Sequence, residues 1–314
     1  MNKEVIKMDM YQKRKMRQEK KNNNQEEKLT KVGINWYPGH MAKTKRLIKE
    51  NLKYIDIVYE VVDSRMPKSS KLIDIVDYTQ SKPRIIIMTK YDLCDKEETK
   101  KWIKYYENSG CVVIPVNLEG NNDIKTIIAT TEKILNKVYE NKKNNGLFNR
   151  KARVLVVGVP NVGKSTLINR LAGKKVVGIG NKPGVTKNIS WIRVNDKIEL
   201  LDTPGILWPK LDEDEALNLA ALTSIKEENL PLFDVASHIL VTLEKFYPDR
   251  LKARYGLEFL DEDIVISMEE IGKKRGCLIR GGDIDYTKVI SLIVGDVKNG
   301  YIKGITFDRM DEDE

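Results

Sequence analysis

Apolar runs alternate with amphipathic segments over the first part of this chain. Strand-like runs cover residues 55–62, 83–88, 111–116 and 154–157, and segments with helical spacing of apolar residues cover 42–54, 70–78 and 96–108. Nearly continuous apolar strands are typical of a sheet that is buried on both faces. The alternation therefore predicts an α/β domain built on a mostly parallel sheet.

The pattern changes near residue 212. Two strand-like runs at 189–194 and 198–201 come before this point, and helical segments then cover 213–228, 233–244, 248–255, 261–274 and 285–297, before a short apolar run at 302–307. Residues 1–30 are rich in Lys, Asn, Gln and Glu, a composition typical of a disordered arm or a single solvated helix. We predict a basic extension over 1–30, an α/β domain over 31–210 and a small all-helical domain over 211–314.

One loop matches the phosphate-binding pattern G-x-x-x-x-G-K-[ST]. It runs from Gly158 to Ser165, follows a strand-like run and precedes a helical one, which is the context that this P-loop motif requires. Its backbone N–H groups can surround a phosphate, Lys164 can reach the terminal phosphates, and the Ser165 hydroxyl can bind Mg²⁺. The predicted nucleotide-binding residues of this loop are Asn161, Val162, Gly163, Lys164, Ser165 and Thr166.

Two further loops fit the phosphate end of the same site. Asp202 ends a strand-like run, where an aspartate can reach Mg²⁺ through water, and the N–H of Gly205 can meet the terminal phosphate. Thr186 lies in a glycine-rich loop between the P-loop helix and that strand, where its hydroxyl can bind Mg²⁺ when a triphosphate is present. These residues predict a Mg²⁺ site made by Ser165, Thr186 and Asp202.

A third loop, at residues 89–92, matches the pattern N/T-K-x-D. The Asp92 carboxylate can accept hydrogen bonds from the ring N–H and the exocyclic amine of guanine, donors that adenine does not present there. GTP is therefore the expected nucleotide. The predicted base-binding residues are Thr89, Lys90, Tyr91, Asp92, Val116 and Asn117.

The order of these motifs is unusual, because the guanine-reading segment precedes the P-loop, whereas in ordinary GTPases it follows D-x-x-G. All these loops lie at one edge of the same parallel sheet, so a circular permutation can preserve the site. With W-Y-P-G-H-M-A-K at 36–43, P-G-V-T at 183–186, D-T-P-G-I-L-W-P at 202–209 and K-R-G-C-L at 274–278, the sequence closely resembles the circularly permuted ribosome biogenesis GTPases of the YlqF/RbgA family.

This resemblance implies a GTPase that cycles between GTP and GDP, binds a late precursor of the large ribosomal subunit through its rRNA, and leaves after GTP hydrolysis. It also implies that the helical domain binds RNA. The chain departs from the family in its first 30 residues, and at 115–117, where Pro-Val-Asn replaces the usual S-A-K and removes its lysine.

Catalysis requires a separate candidate, because Ile206 and Leu207 stand where many GTPases carry a water-orienting glutamine. The resemblance assigns that role to His40, and an imidazole can hold or polarise a water near neutral pH. The alternative is that His40 only packs or caps its turn. Asn161 resembles the potassium-binding asparagine of cation-activated GTPases, with loop stabilisation as the alternative.

The formal net charge of +9 favours a polyanionic partner, although a lysine-rich solvated surface explains the charge equally well. The candidate RNA contacts are Lys43, Arg46, Lys49, Lys273, Lys274 and Arg275.

Neither an export signal nor a membrane-spanning run is apparent, and three scattered cysteines suggest neither disulfides nor zinc. We expect a cytoplasmic monomer with no membrane partner. The second candidate function is an RNA-binding scaffold in which the nucleotide only stabilises the fold.

Overall fold

The computed structural model describes residues 39–72, 79, 82–120, 122–142, 151–178, 190–205, 211–222 and 231–310. These residues fall into two compact units. The described residues up to 222, together with 303–310, belong to one unit, and residues 231–302 belong to the other. The chain therefore leaves the first unit before residue 231 and returns to it at residue 303.

The first unit contains one six-stranded sheet. Its strands are β1 (Ile57–Asp63), β2 (Arg84–Thr89), β3 (Val112–Pro115), β4 (Ala152–Val157), β5 (Ser190–Arg193) and β6 (Ile198–Asp202). They lie in the order β3-β2-β1-β4-β6-β5, and every neighbouring pair is parallel except β5 and β6. Every residue of β1 is buried, as its inner position requires. The predicted α/β fold with a mostly parallel sheet is confirmed.

Five described α-helices belong to the same unit. They are α1 (Gly39–Asn51), followed by a 3₁₀ turn (Leu52–Tyr54), α2 (Lys96–Asn108), α3 (Asn122–Lys142), α4 (Lys164–Ala172) and α5 (Glu213–Ala221). Helix α2 has the predicted bounds because the Asp95 side chain accepts hydrogen bonds from the N–H groups of Glu97 and Glu98. Helix α3 is not predicted by the sequence pattern. It is attached to β1 by a 2.5 Å hydrogen bond between Tyr59 Oη and Thr131 Oγ1.

Residues 303–310, here called the return segment, pack against the first unit without forming a strand. The short apolar run at 302–307, which the sequence pattern assigns to no element, thus has irregular structure. The segment is held by single bonds to several elements rather than by a strand ladder. Its Asp308 carboxylate accepts hydrogen bonds from the N–H groups of Lys68 (2.6 Å) and Ser69 (2.7 Å), and from Asn218 Nδ2 on α5 (3.0 Å).

The second unit contains helices α6 (Leu232–Phe246), α7 (Pro248–Tyr255), α8 (Ile264–Lys274) and α9 (Tyr286–Lys298). Asp263 and Asp285 cap α8 and α9, which explains why these helices begin close to their predicted starts. Gly272 lets α8 approach α9, since a Cβ at this position would lie 2.9 Å from Val289 Cγ2. Within the described residues, no helix is both long enough and apolar enough to span a membrane.

Helix α5 and the return segment lie in the same compact unit as the sheet, whereas the sequence assigns both to the helical domain. Asn218 explains this for α5, because its side chain donates to Ser69 Oγ and to Asp308, both in the first unit. The helices that follow the GTPase motifs are otherwise as predicted. The domain boundaries at residues 30 and 210 stay predictions.

Candidate nucleotide-binding site

The P-loop connects β4 to α4, as the motif predicts. Gly163 adopts a left-handed conformation with φ of 96° and serves as the N-cap of α4. Gly158 passes so close to β1 that a Cβ would lie 2.4 Å from the Val61 backbone oxygen, so no larger residue fits there. Buried Val159 and Val162 hold the loop against the sheet. Ser165 and Thr166, both partly exposed, begin the helix after Lys164.

Lys164 is buried, and its ammonium group donates to the backbone oxygens of Gly158 (3.0 Å) and Val159 (2.7 Å). Burial lowers the pKa of Lys164 to about 8, while the charge of Asp202 acts in the opposite direction. Two neutral carbonyl groups only partly satisfy a buried cation. An anionic ligand in the loop would offer Lys164 a better partner.

Asp202 ends β6 with 1 % of its surface exposed. Among the described residues, neither of its carboxylate oxygens has a hydrogen-bond partner. Burial raises the pKa of Asp202 to about 6, and the charge of Lys164 only partly offsets this effect. A buried carboxylate without hydrogen bonds is costly unless a cation or an ordered water completes its environment.

This unsatisfied carboxylate provides a test of whether the site fits Mg²⁺. Mg²⁺ prefers carboxylate, hydroxyl and water oxygens, and it commonly binds one or two protein oxygens together with substrate phosphates. Asp202 and the hydroxyl of Ser165 supply this chemistry. Thr186, the third predicted ligand, lies outside the described residues. The residues that are described fit the ion.

The D-x-x-G segment lies directly against the P-loop. A Cβ at Gly205 would lie 2.8 Å from both the nitrogen and the Cα of Pro160, so only glycine allows this approach. The Thr203 hydroxyl donates to the Val156 backbone oxygen of β4 at 2.7 Å. The peptide at Gly205 is thereby held beside the loop that is expected to surround the phosphates.

Thr89 connects the guanine-reading segment to the P-loop. Its buried hydroxyl lies 2.6 Å from the Val162 backbone oxygen and 3.1 Å from the Val62 backbone oxygen, and it can donate to either. Thr89 stands in place of the commoner asparagine and has a shorter side chain with which to position the loop. That side chain nevertheless reaches the P-loop backbone.

Lys90 belongs to a buried ionic cluster that the sequence motifs did not predict. Its Nζ lies 2.8 Å from Asp63 Oδ2 and 2.9 Å from the Asn161 backbone oxygen. Arg65, which is 1 % exposed, also donates to both carboxylate oxygens of Asp63. Burial alone would raise the pKa of Asp63, but Arg65 and Lys90 together lower it below its ordinary value. The only sequence signal is the polar D-S-R triplet at 63–65, which begins with the last residue of β1.

The remaining base-binding candidates lie at the ends of β2 and β3. Asp92 is exposed, and the Tyr91 N–H donates to the Val116 backbone oxygen at 3.3 Å. Val116 is buried, and its N–H donates to the Met88 backbone oxygen at 2.7 Å. The Asn117 side chain accepts a hydrogen bond from the Glu119 N–H, so it stabilises the turn to which it belongs. The two loops are therefore joined through their backbones.

The remaining candidates lie on α1 or in the P-loop, and some of their side chains are outside the described part of the chain. His40 falls within the first turn of α1 rather than in a turn before the helix, and its side chain, like that of Lys43, is outside the described part. Arg46 and Lys49 are exposed, and Arg46 forms an ion pair with Glu50 at 3.5 Å. Asn161 has a positive φ of 61°.

The second basic group lies at the C-terminal end of α8. The exposed members of this group are Lys273, Lys274 and Arg275. Lys274 Nζ donates to the Gly256 backbone oxygen at 2.7 Å and lies 3.8 Å from Glu270. This bond leaves Lys273 and Arg275 as the more accessible charges for an external partner.

The structure adds a third basic surface that sequence motifs did not indicate. A cleft of about 640 Å³ lies beside α3 and α4. Its lining residues are Ile124, Lys125, Asn169, Arg170, Gly173, Lys174 and Lys175. The cations come from two helices and the turn after α4, so no local charge run in the sequence brings them together.

Comparison with known proteins gives a consistent set of similarities. Residues 153–267 match the family model described as 50S ribosome-binding GTPase. The chain is 44% identical over 280 residues to ribosome biogenesis GTPase A of Bacillus licheniformis, covering 89% of this chain and 99% of that protein. It is 33% identical over 283 residues to ribosome biogenesis GTPase A of Thermotoga maritima, covering 89% and 95%.

Solved structures agree with these sequence similarities. The GDP-bound structure of TM YlqF matches with a TM-score of 0.60 and 29% identity, covering 84% of this chain and 99% of that chain. GNP-bound YlqF from T. maritima gives the same score and identity, covering 85% and 98%. The likeness therefore extends over both the sheet and the helices that follow it.

Proposed function

Since this chain belongs to the ribosome biogenesis GTPase A family, we propose that it binds a late precursor of the large ribosomal subunit through rRNA and is released when it hydrolyses GTP. Hydrolysis converts GTP and water to GDP and phosphate, and we propose that the large subunit stimulates it. The observation that carries this proposal is the pair formed by Lys164 and Asp202, two buried opposite charges that protein groups satisfy only in part.

The phosphate end of the site provides binding and charge neutralisation. The P-loop N–H groups and Lys164 would hold the β- and γ-phosphates, and the Gly205 N–H would meet the γ-phosphate. Ser165, Thr186 and Asp202 would hold Mg²⁺, which neutralises phosphate charge when bound. Asn161 would contribute to a K⁺ site beside the same phosphates. His40 would orient the attacking water, since neither Ile206 nor Leu207 has a side chain that can hydrogen-bond it.

The base end of the site provides specificity. The exposed Asp92 carboxylate would accept from the ring N–H and the amine of guanine, while Tyr91, Val116 and Asn117 would border the base. Thr89 and Lys90 would support the site by fixing the P-loop, because both contact its backbone. Base binding and phosphate binding are thus connected by short protein contacts rather than through the ligand alone.

Binding to rRNA would use cationic surfaces on both units. Arg46 and Lys49 on α1, with Lys43, would neutralise phosphates at one surface, and the group at the end of α8 would do so at another. The cleft lined by Lys125, Lys174 and Lys175 supports a polyanionic partner as well. We infer a cytoplasmic protein that acts as a monomer on the particle.

The deciding experiment measures GTP turnover by the purified chain alone, with large ribosomal subunits, and with small subunits as a matched control. The proposal expects turnover to rise with large subunits only. An RNA-binding scaffold, the second candidate function, would bind the subunit without any rise in turnover. Equal turnover in all three samples would reject stimulation by the large subunit.

Release is tested separately. Subunit binding is measured by sedimentation in the presence of GDP or of a non-hydrolysable GTP analogue. The proposal expects tighter binding with the analogue, and by thermodynamic reciprocity tighter analogue binding on the subunit. Equal binding in the two nucleotide states would show that hydrolysis does not drive release.

A further inference from the structure

The return segment is bound to the loop that follows the guanine-reading residues. The Gly304 N–H donates to the Leu93 backbone oxygen at 2.8 Å, and the Asp95 N–H donates to Thr306 Oγ1 at 3.1 Å. Leu93 and Asp95 stand one and three residues after Asp92. These bonds fix the chain on the C-terminal side of the guanine-reading segment, between Asp92 and the start of α2.

The return segment also supports the ionic cluster of Lys90, Asp63 and Arg65. The Phe307 N–H donates to the Arg65 backbone oxygen at 2.7 Å. Arg65 in turn donates to both carboxylate oxygens of Asp63, and Asp63 accepts from Lys90. The return segment therefore reaches the guanine-reading segment by two routes, one through Leu93 and Asp95 and the other through Arg65 and Asp63.

Burial makes these contacts well defined. Thr306 and Asp308 are 0% and 6% exposed. Trp102 Nε1 donates to the Asp308 backbone oxygen at 3.2 Å, and the Met310 N–H donates to Glu98 Oε1 at 2.8 Å, which ties the segment to α2. These buried polar contacts fix the position of the return segment, because breaking any of the bonds would leave a buried polar group unsatisfied.

We propose that the return segment positions Asp92 for guanine, with Thr306 as the positioning residue, so that selection of the base depends on residues 303–310 although they lie outside every nucleotide-binding motif. This inference rests on the proposed role of Asp92. Thr306 does not touch the nucleotide in this account. It acts by holding Asp95, and through Asp95 the turn that carries Asp92.

The test compares Thr306→Val with Thr131→Val. Both variants replace a buried threonine hydroxyl of the first unit, but Thr131 bonds to Tyr59 on β1 and not to the guanine-reading segment. The affinities for GDP and for inosine diphosphate, which lacks the exocyclic amine, are measured by titration. Their ratio reports the bond from that amine to Asp92, which a general loss of stability would not change.

We expect Thr306→Val to weaken GDP binding by about three- to tenfold and to lower the preference for GDP over inosine diphosphate. Thr131→Val should leave the preference unchanged, and Thr306→Ser, which keeps the hydroxyl, should restore it. In a chain that also carries Asp92→Ala, Thr306→Val should have no further effect on GDP binding, because the group that it positions is gone.

Two results would overturn the proposal. One is an equal change of preference in Thr306→Val and Thr131→Val, and the other is an undiminished effect of Thr306→Val in the Asp92→Ala chain. If Thr306→Val does not fold, Arg309→Gln replaces it, since the partly exposed Arg309 forms ion pairs with Asp95 and with the buried Glu98 and is expected to act in the same direction. If Asp92→Ala itself leaves the preference unchanged, the guanine-reading role is wrong and the proposal falls with it.

Discussion

Lys90 Nζ lies 2.8 Å from the buried carboxylate of Asp63 and also donates to the backbone of the P-loop at Asn161. One side chain thus joins β1, the guanine-reading segment and the phosphate-binding loop. Lys90 holds this position from a left-handed backbone conformation, with φ of 57°. Such a conformation is uncommon for a residue with a Cβ, and it persists only where the surrounding contacts fix it.

Replacing Asp63 by asparagine should destabilise the first unit by about 3 to 5 kcal/mol, because it leaves the buried Arg65 without its counter-charge. Lys90→Met should cost less, since Asp63 keeps Arg65 as a partner. The measurement is urea unfolding of each variant. Similar unfolding midpoints for the wild-type chain and Asp63→Asn would contradict the structural role of the cluster.

The pH dependence of this difference has a definite sign. The pKa of Asp63 is lowered in the folded chain, so the unfolded chain takes up the proton first as the pH falls. The ion pair therefore contributes its full stability above the ordinary aspartate value of about 4 and loses it as the pH falls toward the folded pKa. The gap between wild type and Asp63→Asn should be constant from neutral pH to about pH 5 and should narrow below about pH 4.

Asp92→Asn should weaken GTP binding and improve binding of xanthosine triphosphate, whose oxygen takes the place of the guanine amine. Both affinities are measured on the same preparation, with the wild-type chain as the reference. Asp123→Asn is a matched control, because the Asp123 carboxylate accepts from the Asn117 N–H and is expected to support the loop without reading the amine. Unchanged GTP affinity in Asp92→Asn would remove Asp92 from the site.

Nucleotide affinity should pass through a maximum between about pH 6 and pH 8. Below that range Asp202, with its pKa raised to about 6, takes up a proton and no longer supports a cation. Above it Lys164, with its pKa lowered to about 8, loses the charge that attracts phosphate. On the acid side and on the alkaline side of this maximum, the nucleotide affinity should fall by up to about tenfold per pH unit. Titration of Mg²⁺-GDP from acid to alkaline pH measures both limbs.

Asp202→Asn serves as the control for that profile. It should bind nucleotide more weakly throughout and keep the fall in affinity at alkaline pH that comes from Lys164. At acid pH it should show only the fall that comes from the nucleotide's own phosphates. A wild-type profile that is flat across this range would show that neither Asp202 nor Lys164 controls binding by its charge.

Reversing charge at Arg46, Lys49, Lys273 and Arg275 should weaken binding to the large subunit and leave GTP affinity intact. Lys274 is left unchanged because it bonds to Gly256 within its own unit. The logarithm of the binding constant should fall linearly with the logarithm of salt concentration. The slope should shrink by roughly one for each RNA phosphate that the variant no longer neutralises.

The matched control for each pair of reversals, at Arg46 and Lys49 or at Lys273 and Arg275, is Lys104→Glu with Lys133→Glu, two exposed lysines on α2 and α3. These substitutions lower the net charge without touching the proposed surfaces. If they weaken subunit binding as much as the test variants do, the net charge alone explains binding. A flat salt response of the wild-type chain would exclude phosphate contacts as a major source of affinity.

His40→Ala should keep GTP affinity and subunit binding but lose about 100-fold or more of the turnover measured with large subunits. Lys164→Ala, in contrast, should lose nucleotide binding as well. The control is His238→Ala, at the chain's other histidine, which lies on α6. If large subunits stimulate His40→Ala as strongly as they stimulate wild type, His40 is structural and another group orients the water.

The sequence predicts those parts of the fold whose causes are local. Helix α2 has its predicted bounds because Asp95 caps it, and the P-loop lies between strand and helix because the motif itself includes its turn glycines. Helix α3 was missed because its Ile and Thr residues have low helix propensity, and the helix depends on packing against β1 through contacts such as Thr131 to Tyr59.

The support behind the site could not be predicted from sequence, because its partners are far apart along the chain. Ser69 and Asp308 are separated by 239 residues, and Asp63 and Lys90 by 27. No periodicity connects such positions, and a polar D-S-R triplet after a strand is also typical of a solvated loop. The chemical motifs were visible because phosphate and guanine recognition constrain short segments, whereas the residues that hold those segments obey no fixed spacing.

The late position of the return segment in the chain also has a consequence for biosynthesis. Domains tend to fold in the order in which they emerge during translation. The P-loop, the sheet and helices α6 to α9 are synthesised before residue 303. The return segment, which supports the guanine-reading segment, is synthesised only afterwards. A nascent chain can therefore assemble its phosphate-binding loop early, but it acquires the full support of its base-selecting loop only after residues 303–310 have been translated.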